Sequence, residues 1–318
     1  MDESIQRDSS SIEILEEHRT LFFCETTEVL SGLEKLTCHP NLSGAKANFI
    51  ENINGAIQVG HIPFFLARSS VWHQRLNAIS AAERIRMLRH VEFGQELTQS
   101  LKAEAEAKAL QRLSEEWISP EGKSSSSAQL VEELVHAVGF PEYRDSAHEL
   151  LRQLVVMIWN SFEILVSDVI RETLNYQPNR AKLLIADKNF KSYLSGSALM
   201  EALIGSEFDL SSGFGDFIVS AINFDSLSRM KCAASYICDV KELNALLKSK
   251  DLNRISAQRH LFVHRRGVVD RKYLESCESS DRIGEKLTPS ADEVIKDIKI
   301  IVDIGEAVLV HFSSALET

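Results

Sequence analysis

Apolar residues recur every three or four positions along most of this chain, the period of a helix with one buried face rather than the alternation of a strand. The densest run is Leu150, Leu151, Leu154, Val155, Ile158, Trp159, Phe162, Leu165, Val166, Val169 and Ile170, which predicts a core helix from about Ala147 to Leu174. Ser146 with Glu149 reads as a capping box at its start, and Pro178 lies just beyond its end. A second stripe (Val294, Ile295, Ile298, Ile301, Val302, Val308, Leu309, Phe312) follows Thr288-Pro289-Ser290, with Ser290 and Glu293 repeating the cap, and predicts a helix that closes a bundle. Between them, helical patterning covers about 226–236 and 240–264, after a more polar region holding Gly196, Gly205, Gly213 and Gly215. The Gly-Phe-Gly at 213–215 is too short for a nucleotide fingerprint and reads as a turn.

The N-terminal part gives helices near 11–37, 44–58, 80–93 and 95–118. After them, Ser119-Pro120-Glu121-Gly122-Lys123 and four serines have the composition of a flexible linker. The expected architecture is all-α: an N-terminal helical domain (1–118), a Ser-rich linker (119–129) and a C-terminal helical bundle (130–318).

With 318 residues, 44% of them hydrophobic, the chain can build a sizeable core. No uninterrupted apolar run approaches the ~20 residues of a membrane span. The start, Met1-Asp2-Glu3-Ser4, is acidic where a secretory signal would be basic. The cytoplasm is the expected compartment, with no membrane partner. Cys24, Cys38, Cys232, Cys238 and Cys277 are scattered and form no Cys-x2-Cys pair, which suits free thiols. A net charge of −11 argues against a protein that coats nucleic acid. The charge is nevertheless uneven: Lys248, Lys250, Arg254, Arg259, Arg265, Arg266, Arg271 and Lys272 face only Asp251 and Asp270 within 248–272. That positive field suits a small anionic site, and a solvated basic helix face is the plainer alternative.

Inside this field the chain reads Arg259-His260-Leu261-Phe262-Val263-His264. A permanent cation beside two imidazoles is the combination that acid–base chemistry on a phosphodiester requires. On an unbroken helix Arg259 and His264 would diverge by roughly 140°, so the motif is expected to span a helix end, with Gly267 supporting a break. His260 and His264 share a face at i and i+4, but Leu261 stands where a zincin-like site needs Glu. No metal or other cofactor is therefore expected. Trp72, Trp117 and Trp159 read as core or interface anchors, since no basic residues interleave with them.

The Arg259–His264 spacing resembles the Arg-x4-6-His signature of HEPN domains, helical bundles many of which cleave RNA without metal. Asn223-Phe224-Asp225-Ser226-Leu227, the run from Val263 to Asp270 and the closing helix after Ser290 are similar to stand-alone bacterial members of the RiboL-PSP type, over roughly residues 130–315. The resemblance implies a HEPN-like C-terminal bundle acting as an endoribonuclease. The substrate's 2′-hydroxyl attacks, leaving 2′,3′-cyclic phosphate and 5′-hydroxyl ends. It implies His264 as the acid–base residue, Arg259 as phosphate clamp and His260 as their polar partner, with Arg254, Arg265 and Arg266 near the substrate. Glu163 or Asp168, on the core helix, would brace Arg259, or both would face solvent. A homodimer with a composite site, an RNA substrate, an antitoxin or other regulator, and a role in toxicity or phage defence belong to the same implication. The alternative is a non-catalytic module of the same fold that binds a protein or RNA.

Overall fold

The core is organised around one 36-residue helix, α6 (Pro141–Tyr176), whose Leu151, Leu154, Val155, Ile158, Trp159, Phe162, Leu165, Val169 and Ile170 are buried. The computed structural model describes residues 26–89 and 98–317, apart from 192, 194, 195, 206, 209–212, 223, 225, 239 and 278. Most of the helix expected at 11–37, together with Cys24, Asn223 and Asp225, lies outside those residues. The chain is all-α: among the described residues there is no strand, only an isolated bridge between Val268 and Lys286.

The described residues fall into two compact units. The first, within 61–147, contains α3 (Ile62–Leu88), α4 (Gln99–Ile118) and α5 (Pro120–Val138). Ile79, Ala109 and Leu113 pack with Trp72, Leu76 and Trp117, while Leu130 and Leu134 pack with Phe64 and Ala67. Here the Ser-rich segment departs from the expectation of a linker, because it is helix. Ser119 caps α5, its Oγ accepting from the Gly122 amide at 3.0 Å, and Pro120 occupies the first turn. Ser126 and Ser127 then donate to the carbonyls of Gly122 and Lys123, so the hydroxyls are satisfied within the helix. A Cβ on Gly122 would meet the Glu116 carbonyl oxygen at 1.7 Å, so the α4–α5 corner admits only glycine there.

The second unit takes residues 26–60 and 148–317. The N-terminal part is thus divided between the units instead of forming one domain to residue 118. This unit contains α1 (Thr26–Lys35), α2 (Ser43–Gly60) and most of α6, then α7 (Ala181–Ala186), α8 (Lys188–Lys191), α9 (Ser197–Gly205) and α10 (Phe214–Ile222). There follow α11 (Leu227–Ile237), α12 (Lys241–Leu247), α13 (Lys250–Arg265), α14 (Arg271–Cys277) and α15 (Ala291–Glu317). Gly305 on α15 marks a close approach, where a Cβ would lie 2.4 Å from the Phe49 ring of α2 and 3.1 Å from Leu165 of α6. By length and composition α6 could cross a bilayer; in this fold its apolar stripe is the bundle core.

The capping expectations divide. Ser290 and Glu293 form the reciprocal box at α15, with amide bonds of 2.8 and 3.2 Å. Ser146 caps nothing: α6 begins at Pro141, and the Ser146 hydroxyl donates back to the Glu142 carbonyl. The patterned stretch 240–264 is two helices, broken where Ser249 caps α13. Gly213 is in a turn, and Phe214 and Gly215 begin α10.

Candidate active site

α13 is amphipathic, with Leu252, Ile255, Gln258, Leu261 and Phe262 buried. Between them, Asn253, Ser256, Ala257 and His260 recur at i, i+3, i+4 and i+7, and that stripe lines one wall of a cleft. The other walls come from Trp159 on α6, Ser226, Ser228 and Lys231 at α11, and Asp270, Lys272, Tyr273 and Ser276 at α14, enclosing about 370 Å³.

The turn after α13 fixes where α14 can lie. Arg266 ends the helix in the left-handed region (φ 53°) and Gly267 follows at φ 83°. The Gly267 amide returns to the Leu261 carbonyl at 3.2 Å, as in a Schellman-type termination. Buried Arg152 clamps the returning strand of backbone from behind, donating to the Leu287 carbonyl at 3.0 Å and Thr288 Oγ1 at 2.7 Å. The helix therefore breaks only after His264, one turn later than a motif spanning the break would need.

Arg259 points toward α6. Its Nη2 lies 3.4 Å from Glu163 Oε2, with both side chains largely buried, and Glu163 Oε1 accepts the Trp159 indole N–H at 2.5 Å. The Arg259 Nε is buried with no hydrogen-bond partner. The guanidinium is thus anchored by Glu163 at the wall of the cleft.

His260 lines the cleft and His264 does not; their rings lie 4.6 Å apart on the exposed face of α13. Partial burial lowers the His260 pKa below the usual histidine value, Lys272, His264 and Arg259 push the same way, and Asp270 opposes them. Lys231, which donates to Asn253 Oδ1 at 2.8 Å, is likewise held below an ordinary lysine by burial and by Lys248. Burial raises the Tyr273 hydroxyl to about 12, keeping it a neutral donor.

The remaining sequence-derived residues are placed elsewhere. Arg254 is consumed by buried Asp297, through paired bonds that include Nη1 to Oδ2 at 3.2 Å, and by Gln258 at 3.1 Å. It is a structural residue, not a substrate contact. Asp168 pairs with Arg171 at 2.8 Å and Asn48 at 3.5 Å, so of the two core-helix acids Glu163 alone contacts Arg259. Arg265 faces Asp270 at 3.6 Å, and neither it nor the exposed Arg266 lines the cleft. Trp159 is a core anchor, as expected, and also a cleft wall. Lys231, Lys272 and Tyr273 reach the cleft through tertiary packing and were not assigned to it from the sequence. Among the described residues no three His, Cys, Asp or Glu side chains converge as metal ligands.

No family model, curated protein or solved structure matches this chain.

Proposed function

We propose that the bundle is a metal-independent endoribonuclease of HEPN type, cutting by attack of the substrate 2′-hydroxyl on the adjacent phosphate. The observation that carries this reading is Arg259: a guanidinium held by Glu163 at the wall of a cleft that also holds His260, Lys231 and Lys272. A phosphodiester in the cleft is matched by the charge of this guanidinium, and the lysines add to it. His260, biased toward its neutral form, takes the 2′-hydroxyl proton as general base. Oxygen attacks phosphorus, the bond to the 5′-oxygen breaks, and a protonated imidazole returns a proton to that leaving group. The products are a 2′,3′-cyclic phosphate and a 5′-hydroxyl.

Among the described residues one chain places a single histidine in the cleft, so the reading includes a homodimer that brings a second Arg259/His260/His264 set against the first. The role as a toxin or phage-defence effector, with an antitoxin or other regulator, rests on the family resemblance. A second reading, a module that binds RNA or protein without cutting it, is favoured by the position of His264 outside the cleft.

Mixed RNA incubated in EDTA with wild type, His260→Ala and His264→Ala, followed by mapping of fragment ends and sizing of the protein, tests the proposal. Cleavage to 2′,3′-cyclic ends by a wild-type dimer, lost in His260→Ala, is expected. Retained RNA binding without cleavage would transfer the conclusion to the binding module.

A further inference from the structure

The first unit holds a second built site, unrelated to the ribonuclease reading. Four of its arginines are matched to carboxylates: Arg75 to Glu116 at 2.7 Å, Arg84 to Glu106 at 2.5 Å, and Arg86 and Arg112 to Glu83. Arg68 and Lys123 have no ion pair among the described residues, and they line the same cavity of about 270 Å³ between α3 and α5. Phe64, Val71, Trp117 and Leu130 form its apolar walls, and Ser126 and Ser127 its polar edge. Arg68 and Trp117 continue into an adjoining groove walled by Phe65 and Trp72, where the two indoles meet edge to face at 4.9 Å.

Each feature has a chemical counterpart. Two cations without carboxylate partners suit a dianion, and an indole beside a guanidinium suits a planar ring. The hydroxyls of Ser126 and Ser127 already donate to backbone carbonyls, so toward the cavity they present lone pairs, which match amino groups on that ring. The volume admits one ring system with one phosphate-sized group. We propose that this cavity binds a small aromatic anion of the nucleoside monophosphate class, with Arg68 and Lys123 on the phosphate and Trp117 against the base.

Adenosine 5′-monophosphate is the probe, titrated calorimetrically into the full chain, with inorganic phosphate and adenosine as controls. The Arg259→Gln background removes the guanidinium of the other cleft. Saturable binding should persist in that background, and Arg68→Gln or Lys123→Gln added to it should each weaken binding about tenfold. Both positions are exposed, so the variants should melt as the parent does. Binding that is absent at millimolar nucleotide, abolished by Arg259→Gln alone, or indifferent to Arg68 and Lys123 would overturn the proposal. Phosphate binding as tightly as the nucleotide would overturn the assignment of the ring.

Discussion

Replacing Arg254 with methionine removes the one cation paired with Asp297 among the described residues, a carboxylate with no exposed surface. Breaking a fully buried ion pair from one side costs about 3–5 kcal/mol, because the surviving charge stays desolvated. Arg254 is 27% exposed and Asp251 also leans on it at 3.7 Å, so solvent screening puts this pair at the lower end, near ~3 kcal/mol. For a unit of this size that loss lowers the melting temperature by roughly 6–12 °C. The effect should depend on pH. Burial already raises the Asp297 pKa, and loss of the guanidinium raises it further. In the variant, stability gained by protonating Asp297 is present at low pH and lost as pH rises through its folded pKa, so the deficit should be smaller near pH 5 than at pH 8. Thermal melts of wild type, Arg254→Met, Asp297→Leu and the double variant across pH provide the assay, and the double variant should recover much of the loss. A deficit below ~1 kcal/mol, as for an exposed pair, or one flat with pH, would refute the assignment of Arg254 to the core. Well below its melting temperature, Arg254→Met should cleave RNA like wild type, whereas a substrate contact would lose turnover.

Three further outcomes follow from the same geometry. Because the His260 pKa is lowered and the base must be neutral, the acidic limb of the cleavage–pH profile should fall below the ordinary histidine value of ~6.5, and Lys272→Gln should move it upward. Glu163→Gln should reduce kcat about tenfold or more, with fragment ends unchanged, since it loosens Arg259 without removing it; an unchanged rate would show that the 3.4 Å pair does not position the guanidinium. Gly267→Ala should destabilise the bundle by about 1–2 kcal/mol in urea titrations, because φ is 83° and the new Cβ would meet the Leu287 carbonyl at 3.2 Å and Arg152 Nε at 3.3 Å; full stability would mean the turn can relax.

The amino-acid sequence by itself determined the helical class, the core stripe of α6, the cap and register of α15, and the place of Arg259 and His260 on a basic helix. These are local properties: a 3.6-residue period, a Ser-x-x-Glu box and the ordering of charges are fixed by neighbours in the chain. Composition misled at Ser119, where a cap, a first-turn proline and back-bonded hydroxyls make a helix from residues that also suit a linker. Tertiary structure alone decided which cations are spent and which remain. Arg254 and Arg259 are equally basic and five residues apart, yet one is neutralised by Asp297 of α15 and the other meets Glu163 of α6 at the wall of the cleft. Asp168 and Glu163 were likewise equivalent candidates until Arg171 and Asn48 engaged the first. Pairing of this kind depends on which helix face meets which neighbour, across 43 residues of sequence for Arg254 and Asp297 and 96 for Arg259 and Glu163, and helical periodicity gives the face without naming the neighbour.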